Sequence, residues 1–226
     1  ESLRSYKIFR HELGAVEDVE VYHEEDDTYS CYVYKTKSKK FLAIGSDSTL
    51  SSEHRILASD DPTGQFKIFQ SRERKLEYSF EHVGNTFYIL TNEKALNFKL
   101  VSCAEDATSK ENWKEIIAHR KDVLLEGVEL FADYMVLDER SKGLTHLRVI
   151  DLNNKEEHYI DFGEDVYTAY ISVNFDFESK ILRYGYSSLT TPSSVFDYNI
   201  ETREKDLLKQ QEIVGGYSSE DYQSER

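Results

Sequence analysis

The chain has 226 residues, 39% hydrophobic and 13% aromatic, which is enough for a sizeable core and too aromatic for a disordered segment. Its formal net charge of −15 argues against nucleic-acid phosphates or anionic membranes as partners, since both need clustered Lys and Arg. That charge suits steering of a cationic partner, or solubility alone. In chain order, Tyr6–Phe9 and Glu20–Tyr22 read as two short strands. Four units of four strands follow. The first has Tyr29–Tyr34, Phe41–Ile44, Arg55–Ala58 and Phe66–Phe69. The second has Tyr78–His82, Phe87–Leu90, Phe98–Val101 and Trp113–Ile116. The third has Gly127–Phe131, Tyr134–Leu137, Leu147–Ile150 and Tyr159–Phe162. The fourth has Tyr167–Val173, Leu182–Gly185, Val195–Tyr198 and Lys205–Leu208.

The apolar second strands start at residues 41, 87, 134 and 182, in steps of 46, 47 and 48 residues. Ile8 and Val21 stand 48 and 47 residues before Ile56 and Ile68, so the opening pair matches the last two strands of a unit. A four-stranded unit repeating every ~40–50 residues reads as a β-propeller blade. One blade cannot bury both faces alone, so blades stack on neighbours. The fold class expected is therefore all-β: a partial β-propeller of half a blade (1–28) and four blades (29–75, 76–123, 124–166 and 167–209). Only two prolines and ten glycines are present, so Asn, Asp and Ser must make most turns. Asn153-Asn154 is expected in a tight primed turn, Asp60–Gly64 in a longer one, and Gly84-Asn85 at another reversal. One short helical insertion is expected. Thr108-Ser-Lys-Glu111 reads as a capping box, with a helical turn through Trp113–Ile117 competing with the strand there. Residues 210–226 read as a linker.

Several runs carry a family signature. They are Ser187–Tyr198, Leu208–Tyr217, Asp221-Tyr222 and Ser224-Glu225-Arg226 near the end. Upstream stand Phe87–Asn92, Asn97-Phe98, Asn112-Trp113, His119-Arg120, Val123–Glu126 and Glu157–Ile160. Together they resemble the oligopeptidase B (protease II) branch of the prolyl oligopeptidase family of serine peptidases, over essentially the whole chain. The resemblance implies a seven-bladed propeller joined to a C-terminal α/β-hydrolase domain that carries the Ser, Asp and His triad. It implies cleavage of short peptides after Lys or Arg, with trypsin-like specificity, by a parent protein whose propeller limits access to small substrates. The chain would then be the later blades, followed by a linker toward a hydrolase domain it does not contain. On its own it would be inactive. Its partners would be that hydrolase domain and, for the parent, short basic peptides.

No catalytic, cofactor or metal residue is nominated, and substrate-contacting residues stay unknown. Gly185-Tyr-Ser187-Ser-Leu189 lacks the second Gly of a nucleophile elbow, so Ser187 reads as a strand end. His11, His23, His54, His82, His119, His146 and His158 show no metal-ligand spacing and read as surface or core hydrogen-bonding groups. Glu24-Glu25-Asp26-Asp27 and Glu164-Asp165 each read as solvated loops, with a part in attracting basic peptides through the summed charge. Arg72, Arg74 and Lys75 are too few, with Glu73 among them, for a nucleic-acid footprint. Cys31 and Cys103 suggest no disulfide framework, which with the family points to the cytoplasm. No apolar run approaches a membrane span, and no cofactor is expected. The alternative is a stand-alone, non-enzymatic propeller holding a protein partner. Open strand edges and blade faces would favour self-association.

Overall fold

The computed structural model describes residues 3–225. It divides into two compact units, one ending at His119 and the other starting at Arg120.

The first unit holds three antiparallel sheets. β1 (Lys7–Arg10) pairs with β2 (Val19–His23) as an isolated two-stranded sheet. β3 (Ser30–Lys35), β4 (Phe41–Asp47), β5 (Ser52–Ala58) and β6 (Lys67–Gln70) form a four-stranded meander. β7 (Tyr78–Val83), β8 (Thr86–Thr91), β9 (Lys99–Ala104) and β10 (Lys114–Ile117) form another. The second unit holds two meanders. One is β11 (Val123–Leu130), β12 (Tyr134–Ser141), β13 (Leu144–Asp151) and β14 (Glu157–Tyr159). The other is β15 (Tyr167–Ile171), β16 (Ile181–Ser188), β17 (Ser194–Asn199) and β18 (Lys205–Gln210).

Alternation builds each core. On β8, Phe87, Ile89 and Thr91 are buried while Thr86, Tyr88 and Leu90 between them are not. In the first unit Phe87 and Ile89 join Phe41, Ile56, Phe69, Tyr78 and Phe80 in one cluster. The Phe69 and Phe80 rings stack with centroids 4.3 Å apart, in the range where aromatic pairs attract. In the second unit Val136, Leu147 and Val149 pack with Leu182, Tyr184 and Tyr198. The all-β fold of stacked four-stranded blades is thus the one the repeat predicts.

Local details differ from expectation for identifiable reasons. Of the two competing readings at Trp113–Ile117, the strand holds: Lys114–Ile117 is β10, which gains ladder hydrogen bonds with β9. A single 3₁₀ turn covers Lys110–Asn112. The capping box does not form: Ser109 makes no cap, and Thr108 Oγ1 donates to the Phe69 carbonyl at 2.7 Å. The strand expected at Tyr159–Phe162 is Glu157–Tyr159, because Ile160 turns into the core and Phe162 packs on the Tyr167 ring at 4.7 Å. Phe98 precedes its strand, at a left-handed φ of 59°. Asn153-Asn154 is not a primed turn. The Asp151 carboxylate accepts both of their backbone N–H groups, and the left-handed residue is Lys155. The same turn recurs 48 residues later, where Asn199 accepts from Glu201 and Thr202 and Arg203 is left-handed. Val123 opens β11, one residue before the expected unit begins. Gln210 ends β18, and a 3₁₀ turn at Ser219–Asp221 lies within the expected linker.

Two glycines are required by cross-strand tyrosines. Gly45 lies opposite Tyr32, and Gly185 opposite Tyr170. A β-carbon on either would come within 2.4 Å and 2.1 Å of the facing ring. Alanine at each site must push the ring aside. Both rings are about half exposed, but Tyr170 is free to swing out whereas Tyr32 is held by a 2.7 Å hydrogen bond to Asp47. Gly45→Ala should therefore cost more than Gly185→Ala, about 1–3 kcal/mol against about 1 kcal/mol or less, by urea unfolding. Equal costs would contradict this account.

Candidate functional site

The acidic runs singled out by sequence turn out to be wired into the blades. Glu24, expected in a solvated loop, is only 6% exposed. It sits just after β2 and takes a bidentate contact from Arg72, with Arg72 Nη2 2.6 Å from Oε2. Ser46 Oγ, Tyr22 OH at 2.6 Å and the Asp26 N–H also donate to it. Burial alone would raise its pKa, but these donors together hold it down to about 2. Arg72 also lies 3.9 Å from the Tyr29 ring and 3.5 Å from Glu53. The basic patch of the sequence thus loses its leading member to an internal clamp. Asp26 caps its own turn through Thr28. Glu25 and Asp27 of that run face water.

Glu164 is the second surprise. Five hydroxyls converge on it: Tyr186 at 2.7 Å, Ser188 at 2.9 Å, Thr190 at 2.7 Å, Thr191 at 2.9 Å and Ser224 at 2.9 Å. Burial opposes its charge, yet those bonds hold its pKa at about 2 without any cation. Asp165 beside it is exposed. Glu139 was not singled out by sequence. It is 1% exposed and contacts Arg148 at 2.7 Å, Tyr159 OH at 3.0 Å and Arg120.

The histidines divide between surface and core. His11 meets Asp18 at 2.8 Å and His23 lies 3.9 Å from Glu20, both exposed. His146 faces Tyr167 OH at 3.5 Å and His158 faces Tyr198 OH at 2.7 Å. His82 is 1% exposed between the Phe41 and Phe87 rings. Its Nδ1 lies 2.9 Å from Ser38 Oγ and its Nε2 lies 2.7 Å from Glu105, which also pairs with Lys40. The Ser–His–Glu order is that of a charge-relay triad, but Ser38 Oγ also meets Thr36 Oγ1 at 3.1 Å. The relay ties the β3–β4 turn to the next sheet. Ser187 lies within β16, paired with Thr168, rather than on a strand-to-helix elbow. Among the described residues no three His, Cys, Asp or Glu side chains gather as a metal site, and no helix is long and apolar enough to cross a membrane.

Asp138 is perturbed in the opposite sense. It is half-buried on β12, with Oδ1 buried and unpartnered. Burial first, then the charge of Glu126, raise its pKa to about 6 against a small opposing pull from Arg140. The folded chain therefore holds this proton more tightly than the unfolded one. Its contribution to stability is complete below the unfolded value of 3.8 and is lost as pH rises through about 6. Asp138→Asn should raise unfolding free energy at pH 7.5 by about 1–2 kcal/mol and change little at pH 4. Lower stability at pH 7.5 would overturn this.

One cleft of the first unit, about 310 Å³, is lined by Arg4, Tyr6, His23, Glu24, Glu25, Asp27 and Tyr29.

Four-stranded antiparallel meanders repeating at 46 to 48 residues define the chain as β-propeller blades. The family model "Prolyl oligopeptidase, N-terminal beta-propeller domain" matches residues 1–211. The chain belongs to the prolyl oligopeptidase family, as part of its N-terminal propeller. It is 39% identical over 229 residues to dipeptidyl aminopeptidase BI of Pseudoxanthomonas mexicana, covering 100% of this chain and 31% of that protein. Protease 2 of Moraxella lacunata is 30% identical, over 100% of this chain and 32% of its own length. The solved oligopeptidase B from Leishmania major superposes with a TM-score of 0.89 at 28% identity, over 99% of this chain and 33% of that one. The chain thus spans about a third of the relatives it matches.

Proposed function

We propose that this chain is the substrate-gating part of a serine oligopeptidase that cleaves short peptides after Lys or Arg. The observation that carries the reading is the match of residues 1–211 to the N-terminal propeller of prolyl oligopeptidase, together with the likeness to Protease 2 and oligopeptidase B. The catalytic serine would lie in an adjoining α/β-hydrolase domain, activated by a histidine and served by an oxyanion hole. The blades would exclude folded proteins by size. A basic peptide would be drawn by the net charge of −15, through acids not occupied internally, such as Glu25, Asp27 and Asp165. Glu24, Glu139 and Glu164 would contribute little to steering, because their bonds are directed inward. The propeller would work in the cytoplasm. Alone, it would self-associate through the β1 and β18 edges, each paired on one side only.

A second reading has its own support: the relative at 39% identity is named a dipeptidyl aminopeptidase. One experiment separates the two. The natural full-length protein is offered an N-terminally blocked arginyl substrate and an unblocked dipeptidyl one. An endopeptidase turns over the blocked substrate, and a dipeptidyl aminopeptidase needs the free amine. Turnover of neither, or a natural reading frame with no G-x-S-x-G run, would leave a non-enzymatic interaction propeller instead.

A further inference from the structure

His54 and Asp47 share one face of the β3–β6 sheet. Gly45 pairs across β4–β5 with His54, and Asp47 follows Gly45 by two residues, so the two side chains are diagonal neighbours. His54 is 1% exposed. Its Nε2 lies 3.0 Å from the Tyr78 carbonyl oxygen. A carbonyl can only accept, so Nε2 carries the proton and Nδ1 is left as a bare acceptor. That Nδ1 is buried and meets no protein donor. Asp47 Oδ2 accepts from Tyr32 OH, while Oδ1 is buried and likewise has no protein donor.

Two buried acceptors on one face, each without a donor, form a pair that a single donor molecule satisfies. Leaving each unsatisfied would cost the desolvation of a polar group, which native interiors rarely tolerate. Aromatic rings surround the imidazole. Tyr32 and Tyr34 stand 6.5 and 6.2 Å from the His54 centroid, Tyr78 and Phe80 at 5.0 and 5.4 Å. No Lys, Arg or His of the described residues forms an ion pair with Asp47.

We propose that Asp47 Oδ1 and His54 Nδ1 together bind one water-sized hydrogen-bond donor, a water molecule or an ammonium ion. Either presents two hydrogens at a wide angle, one for each acceptor. Ammonium has the further merit of offsetting the Asp47 charge and lying against aromatic faces. A metal ion fits poorly, since two protein ligands among rings leave most of its coordination unmet. The competing arrangement is direct closure, with His54 protonated on Nδ1 and donating to Asp47. The charges facing the ring are Asp47 on β4 and Glu53 on β5, with the Tyr78 carbonyl from β7. Burial outweighs them and keeps the imidazole neutral. The bound donor would also fix Tyr32, since Asp47 holds that hydroxyl through its other oxygen.

The test is a high-resolution crystal structure of the natural full-length protein at pH 7.5, with thermal melts in sodium chloride and ammonium chloride of equal ionic strength. An isolated density peak within about 2.7–3.2 Å of both acceptors is expected. With that peak, a melting temperature that climbs with ammonium concentration identifies ammonium, and a flat response identifies water. Asp47→Asn, which keeps the side chain's size and removes its charge, should abolish any ammonium response while keeping the fold. The proposal fails if no peak lies between the two atoms, or if His54 Nδ1 is found hydrogen-bonded directly to Asp47.

Discussion

Arg72→Ala is expected to destabilise the first unit by about 3–5 kcal/mol, because it strands a buried carboxylate. Glu24 is 6% exposed, and its ion pair is with Arg72. Its neutral donors, Tyr22, Ser46 and the Asp26 N–H, are already engaged and cannot replace a guanidinium. The loss should depend on pH. Glu24 is held near a pKa of about 2 against 4.5 when unperturbed. The clamp's contribution is therefore present above about 4.5 and disappears as pH falls through about 2. Urea unfolding of wild type and variant should thus converge in acid and diverge at neutral pH. A constant difference across that range would show that Arg72 acts through packing on Tyr29 and not through charge.

The second large effect is expected at Glu139→Gln in the second unit, again about 3–5 kcal/mol. Arg148, in the middle of β13, is only 9% exposed and has Glu139 at 2.7 Å, against 3.4 Å to Glu157. The amide keeps the volume and removes the charge, so Arg148 is left buried against a neutral oxygen. Tyr159 OH loses its carboxylate acceptor in the same step. A chemical-unfolding midpoint unchanged from wild type would mean that Glu157 takes over the pairing.

The repeat was readable because strand cores are local. Apolar residues alternate within four to six positions, and that spacing survives whatever the neighbours are. The misread elements are those decided at a distance. Tyr159–Phe162 looks like a strand by alternation, yet Ile160 and Phe162 serve the interface with the following sheet. Trp113–Ile117 admits both a strand and a helical turn by sequence, and pairing with β9 decides for the strand. Phe98 is apolar and sits at a strand's edge, but its positive φ makes it part of the turn.

Charge was the least legible property. Glu24 and Glu25 are the same residue type side by side. One is buried because Arg72, 48 positions away, reaches it, and the other faces water. Glu164 looks like any loop acid until Tyr186, Ser188, Thr190, Thr191 and Ser224 are seen around it. A signal did exist in the hydroxyl-rich Ser187–Ser194 run, which offers far more donors than a turn needs. Asp138 carried no such signal. Its raised pKa comes from burial on a strand whose register sequence alone leaves open.

The sole tryptophan has a spectroscopic consequence. Trp113 hangs its indole N–H on the Thr108 carbonyl and packs against the first unit's aromatic cluster, 5.8 Å from the Tyr78 ring. Light absorbed by the tyrosines nearby will reach it by resonance transfer. Its emission will therefore follow the Arg72 variant directly. The second unit holds no indole, so the Glu139 variant must be followed by tyrosine absorbance or backbone dichroism. One fluorophore thus splits the unfolding of this chain into a half that glows and a half that stays dark.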